Sequence, residues 1–89
     1  MKHITDDRLD TIEPLLEQLR TVAGLTERKR GNFVFRSRAF LHFHEDGDDC
    51  YADVRLDGGD FERRRVTTTA EQRRLVAAVR RTVESSPRP

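Results

Sequence analysis

The sequence predicts an α+β fold: a four-stranded antiparallel meander with an N-terminal and a C-terminal helix packed on one face, in the order α-β-β-β-β-α. Three observations predict it. Apolar residues recur at steps of three and four near both ends of the chain. Between them, apolar and polar residues alternate in short runs. Two clusters rich in Asp and Gly, "EDGDD" and "DGGD", separate those runs as hairpin turns would.

The first helix rests on Leu9, Ile12, Leu16 and Leu19, with Leu15 and Val22 widening the stripe. Pro14 lacks an amide hydrogen and crowds the turn before it, so it belongs to a first turn and the secure helix starts near Thr11. Thr5 can cap an earlier turn, with a kink at the proline between the two. Gly24 stands where a left-handed residue would stop the helix.

"TERKRGN" reads as a polar connector. "NFVFR" then sets Phe33 and Phe35 against Val34, and "RSR" is a tight turn. "AFLHFH" sets Ala39, Leu41 and Phe43 against Phe40, His42 and His44. "YADVRL" places Ala52, Val54 and Leu56 on one side and Tyr51, Asp53 and Arg55 on the other. "FERRRV" is a short strand whose arginines suit an exposed edge. Thr68 with Glu71, or Thr69 with Gln72, then fits the capping box that opens a helix carrying Leu75, Val76, Val79 and Val83. Residues 1–84 form a single domain, and 85–89 read as a disordered tail.

Eighty-nine residues with 35% hydrophobic side chains support only a thin, two-layer core. The net charge of +1 supplies no overall field toward nucleic acid or membrane. The charge is patterned, however: residues 41–60 hold seven acids and one base, flanked by basic segments. A lone cysteine, Cys50, excludes an internal disulfide and points to a reducing compartment. The start of the chain lacks a signal-peptide core, and no apolar run approaches the roughly 20 residues of a spanning helix. The expectation is a cytoplasmic protein without membrane partners.

Under this parity one sheet face is covered by helices, and the other presents Arg36, Phe40, His42, His44, Tyr51, Asp53 and Arg55. That face is the expected ligand or interaction surface, and in a chain with little core to spare it predicts a homo-oligomer. Nucleic acid is an alternative partner, through Lys29, Arg30, Arg63, Arg64, Arg65, Arg73, Arg74, Arg80 and Arg81, since clustered guanidiniums neutralise phosphates. No cofactor is expected under the leading reading. The alternative is a transition metal such as zinc: His42 and His44 project together from one strand, and a third ligand comes from Asp53, Glu45 or Cys50 according to the strand register. The acids of "HEDGDD" are bunched in a turn, unlike the spaced ligands of a calcium loop. There is no Gly-rich phosphate loop, nucleophile elbow or Cys-x-x-Cys, and Asp48 and Asp49 oppose a reactive thiolate at Cys50. The reading is not an enzyme.

The stretch "FVFRSRAFLHFHEDGDD" resembles the central hairpin of the MmcQ/YjbR-like family, in which an aromatic strand passes a short basic turn into a strand ending in a His-Glu-Asp-Gly-like turn. "LLEQLRTVAGLTE" resembles that family's first helix and following turn, so the resemblance covers about residues 12–57. It implies an α+β fold and a possible link to DNA, and no activity. After Leu56 this chain departs from the pattern, since one short strand leads straight to the last helix. A fainter likeness, to small luciferase-associated domains, rests on the His-rich strand before a Gly turn and implies no mechanism.

Overall fold

The computed structural model describes residues 1–85, beginning with a two-residue strand, β1 (Lys2–His3). Thr5 then caps α1 (Asp6–Asp10), its hydroxyl oxygen accepting from the Arg8 amide at 3.2 Å. Pro14 sits in the first turn of α2 (Glu13–Arg20). It has no N–H to give to the Asp10 carbonyl and its ring crowds that oxygen, which separates α1 from α2. The apolar stripe survives the break: Leu9, Ile12, Leu15, Leu16 and Leu19 are all buried. Gly24 follows with a φ of +100°, in the region a glycine tolerates best.

The sheet contains β2 (Leu25–Lys29), β3 (Asn32–Phe35), β4 (Arg38–Asp46), β5 (Asp49–Val54) and β6 (Glu62–Arg65), and the chain continues into α3 (Thr69–Ser85). All pairings are antiparallel, in the order β2-β3-β4-β5-β6, with β1 added to the far end of β4. The sheet therefore has six strands where four were expected. Most of the expected connector "TERKRGN" belongs to strands: Thr26–Lys29 follow Leu25 in an edge strand with only Leu25 and Glu27 partly buried, so it carries little apolar alternation. The first strand is too short to show a period. It is held in part by Glu45, whose Oε2 accepts from the Thr5 amide at 2.8 Å and whose Oε1 lies 3.8 Å from the Lys2 ammonium.

The "EDGDD" turn forms as expected: Asp46 pairs with Asp49, and Gly47, with φ of +61°, takes the first central position. "DGGD" does not make a tight hairpin. Val54 pairs with Glu62, so a longer loop joins β5 to β6. The capping box at α3 is reciprocal, with the Glu71 amide donating to Thr68 Oγ1 at 3.1 Å and the Thr68 amide to Glu71 Oε1 at 2.9 Å. Ser85, assigned to the tail, closes α3, and residues 86–89 lie outside the described residues.

Strand register holds along most of the sheet and shifts twice, between β2 and β3 at Glu27–Lys29 and between β3 and β4. Leu41 and Phe43 are buried under the helices, while His42 and His44 face the other way and are partly exposed. Phe40 does not join the imidazoles. Phe33 pairs with Leu41 and Val34 with Ala39, which leaves Phe40 as the extra residue of a β-bulge. A bulge lets two successive side chains turn to the same side, so Phe40 is buried beside Leu41 and meets the Phe35 ring edge-on at 5.6 Å. Ala39, expected inside, is exposed. The core is otherwise the expected one: Phe33, Phe43, Val54, Leu75, Val76 and Val79 are buried, and Phe35, Leu56 and Val83 pack at its margin.

Phe40→Ala should lower stability by about 3–5 kcal/mol in denaturant unfolding, the cost of emptying a core aromatic site, whereas a side chain on the outer face would cost far less. A second expectation concerns acid. The Glu45 carboxyl is held below its ordinary value, first by the Thr5 amide, so the folded chain takes up this proton less readily than the unfolded one. Its contribution is intact above the ordinary value of 4.5 and is lost as pH falls through the lowered one. Exchange protection of the Thr5 amide should fall in that range, and Glu45→Ala, which removes the acceptor, should lose it at neutral pH.

Candidate metal centre on the outer sheet face

Register decides what the outer face brings together. His42 pairs with Asp53, which pairs with Arg63 on the next strand. One step along, His44 lies between Tyr51 and His3. Directly paired residues point to the same side of a sheet, so three strands deliver two imidazoles, a carboxylate and a guanidinium to one place.

The distances are short. Asp53 Oδ2 lies 3.1 Å from His44 Nε2 and 3.5 Å from His42 Nε2. Arg63 grips the same carboxylate with two forked hydrogen bonds, Nε to Oδ1 at 2.8 Å and Nη2 to Oδ2 at 2.9 Å. Rings enclose the cluster: His3 stacks on His44 with centroids 5.0 Å apart, and His42 meets His44 and Phe61 edge-on, each at 5.0 Å. The Arg55 guanidinium lies 4.3 Å over the Phe61 ring. Asp53 and His44 are mostly covered, at 13% and 14% side-chain exposure, while His42 keeps 30%. His42 is thus the most exposed of the three.

Electrostatics suit metal ligation. Partial burial holds the His42 imidazole below its ordinary value, aided by the neighbouring His44, His3 and Arg63, while Asp53 pulls the other way. The neutral, ligating form of His42 is therefore favoured. The Arg63 hydrogen bonds hold the Asp53 carboxyl well down in the ionised form. A carboxylate oxygen has two lone pairs, so Oδ2 can accept from Arg63 and still face a cation.

Of the expected ligands, His42, His44 and Asp53 come together, their donor atoms within 4.8 Å of one another. The other two options for a third ligand do not. Cys50 is buried in the core, and Glu45 is engaged with Thr5, Lys2 and Arg8. Tyr51 lies on the same face beside His44, and Arg55 reaches it through Phe61, whereas Phe40 leaves the expected surface altogether. Arg36 lies in the β3–β4 turn, away from the cluster on its strand. His3 and Phe61 were missed: the first belongs to a strand two residues long, and the second, expected to open the strand "FERRRV", sits at the end of the loop before β6.

The basic set expected for nucleic acid is divided, and four of its nine members are ion-paired. Arg30 pairs with Asp10 and Glu13, Arg63 with Asp53, Arg64 with Glu62, and Arg65 with Asp49 and Glu71. Arg80 donates to Thr21 Oγ1, and Arg73, Arg74 and Arg81 lie on exposed turns of α3, with Lys29 exposed on β2. Met1 is the one exposed large hydrophobic among the described residues. No helix among the described residues is long and apolar enough to cross a membrane. No family model matches the chain, and comparison with curated proteins and with solved structures finds no match.

Proposed function

We propose that this protein is a small non-catalytic binding module whose working site is the outer face of the sheet, and that it holds a divalent transition metal such as zinc there. One observation carries the reading: the spacing of the His42, His44 and Asp53 donor atoms. Ligands about 2.0–2.1 Å from a tetrahedral ion stand about 3.4 Å from one another. The two nitrogen-to-oxygen distances here are 3.1 and 3.5 Å. Two nitrogens and a carboxylate oxygen are a donor set suited to zinc and its neighbours, with a further position left for water or a ligand. Arg63 would serve as the outer partner that keeps the carboxylate oriented. Kinship with the MmcQ/YjbR-like family belongs to the same proposal and rests on residues 12–57 alone.

Zinc titrated calorimetrically into protein purified without a histidine tag should bind one ion per chain. His42→Ala combined with His44→Ala should abolish binding, and retention of the ion in that variant would refute the site. Binding should weaken in acid, as pH falls through the lowered value of His42, because the ring nitrogen that takes up a proton there can no longer ligate.

Pairing of two copies across the same face is the second reading, favoured by the row of rings His3, His44, His42 and Phe61 presented along one surface. Light scattering with and without zinc should then report the mass of two chains. A single-chain mass at micromolar concentration in both conditions would remove this reading and leave the metal site standing.

A further inference from the structure

A second site lies at the end of the sheet marked by the β3–β4 turn, where a cavity of about 450 Å³ opens between that turn, the residues after β5 and the last turns of α3. Its size falls in the range of small-ligand pockets. Phe35, Phe40 and Leu56 give it an apolar wall, and Arg36, Arg38, Arg55 and Arg81 line it with guanidiniums. Among the described lining residues a single acid, Asp57, accompanies these four arginines, and its Oδ1 already accepts from the Gly59 amide at 2.8 Å.

What sets the cavity apart is that four arginines without a carboxylate partner line one space; Arg28, Arg73, Arg74 and Arg80 also lack one among the described residues but do not line it. Arg8, Arg20, Arg30, Arg63, Arg64 and Arg65 each have a carboxylate within 4.0 Å. None of the four cavity arginines has one among the described residues. Arg55 Nε is buried there without a hydrogen-bond partner, a donor whose desolvation is uncompensated. The turn that presents Arg36 is strained as well. Arg36 and Ser37 have φ of +55° and +65°, positions that two-residue hairpins normally give to Asn and Gly. Left-handed backbone costs a side-chain-bearing residue about 1–2 kcal/mol, and here it sets a guanidinium at the cavity mouth, 5.1 Å above the Phe35 ring.

We propose that this cavity binds a small organic phosphate, the phosphate held by the arginine fork and the apolar body resting on Phe35, Phe40 and Leu56. A phosphate monoester carries a charge of about −1.5 to −2 at neutral pH, which answers the uncompensated guanidiniums better than a single carboxylate does. The planar, forked guanidinium matches phosphate oxygens two at a time. The site shares none of the metal cluster's ligands and meets it only at Arg55, whose guanidinium lies over the Phe61 ring that packs on His42.

Phenyl phosphate titrated into the full chain should give saturable amide shifts confined to residues 36–40, 55–58 and 81–85. Inorganic phosphate should bind more weakly, and phenol should give no saturable response. Arg38→Gln and Arg81→Gln should each weaken phenyl phosphate about tenfold, the loss of one charge-assisted contact. Arg73→Gln, exposed on the same helix, should leave it unchanged. Replacing the turn with Arg36→Asn and Ser37→Gly should raise stability while weakening binding, two readouts moving in opposite senses. The proposal is overturned by an absent saturable shift, by an equal response to phenol, by an Arg73→Gln loss matching that of Arg81→Gln, or by full binding in the turn variant.

Discussion

Strand β4 carries the constraint on which the remainder of the molecule depends. It pairs with β3 at its start, with β1 at its end and with β5 along most of its length. Its two faces must meet opposite demands: Leu41 and Phe43 fill the space beneath the helices, and His42 and His44 stand among ionised groups. The bulge at Phe40 reconciles a two-residue period with a core that extends further than the period allows. Without it, an aromatic ring would lie among polar groups outside, and the end of the core beside Phe35 would lose its partner.

The charge pattern along the chain resolves into local pairings of the same kind. The acidic hairpin and the basic strand after it run side by side, so Asp53 meets Arg63 and Asp49 meets Arg65. Glu13 and Glu27 are likewise joined by Arg20, which ties α2 to the edge strand β2. Exposed ion pairs contribute only about 0–1 kcal/mol each, so these matter more for placement than for stability. They fix which arginines are committed and which remain available, and the available ones at the sheet end gather around one cavity.

Much of this was legible in the sequence because it follows from local periods and local turn chemistry. The helix stripes, the Thr68–Glu71 capping box, the "EDGDD" turn and the shared direction of His42, His44 and Asp53 all depend on spacing within one or two elements. The strands at residues 2–3 and 25–29 were not legible. Their identity comes from the strands they pair with, and neither has an apolar face of its own. The displacement of Phe40 was hidden for a related reason: a bulge is a property of two strands in register, and the alternation "AFLHFH" reads smoothly without it. The arginine cavity unites three segments distant in sequence, so no window along the chain could display it.

The two outermost strands have a further consequence. β2 carries Glu27, Arg28 and Lys29, and β6 reads Glu62, Arg63, Arg64, Arg65. Each leaves one row of backbone donors and acceptors unmatched, the usual template on which chains stack into fibrils. Docking another strand there would strip water from these charged side chains, so charge at both margins of the sheet discourages the addition of a further strand.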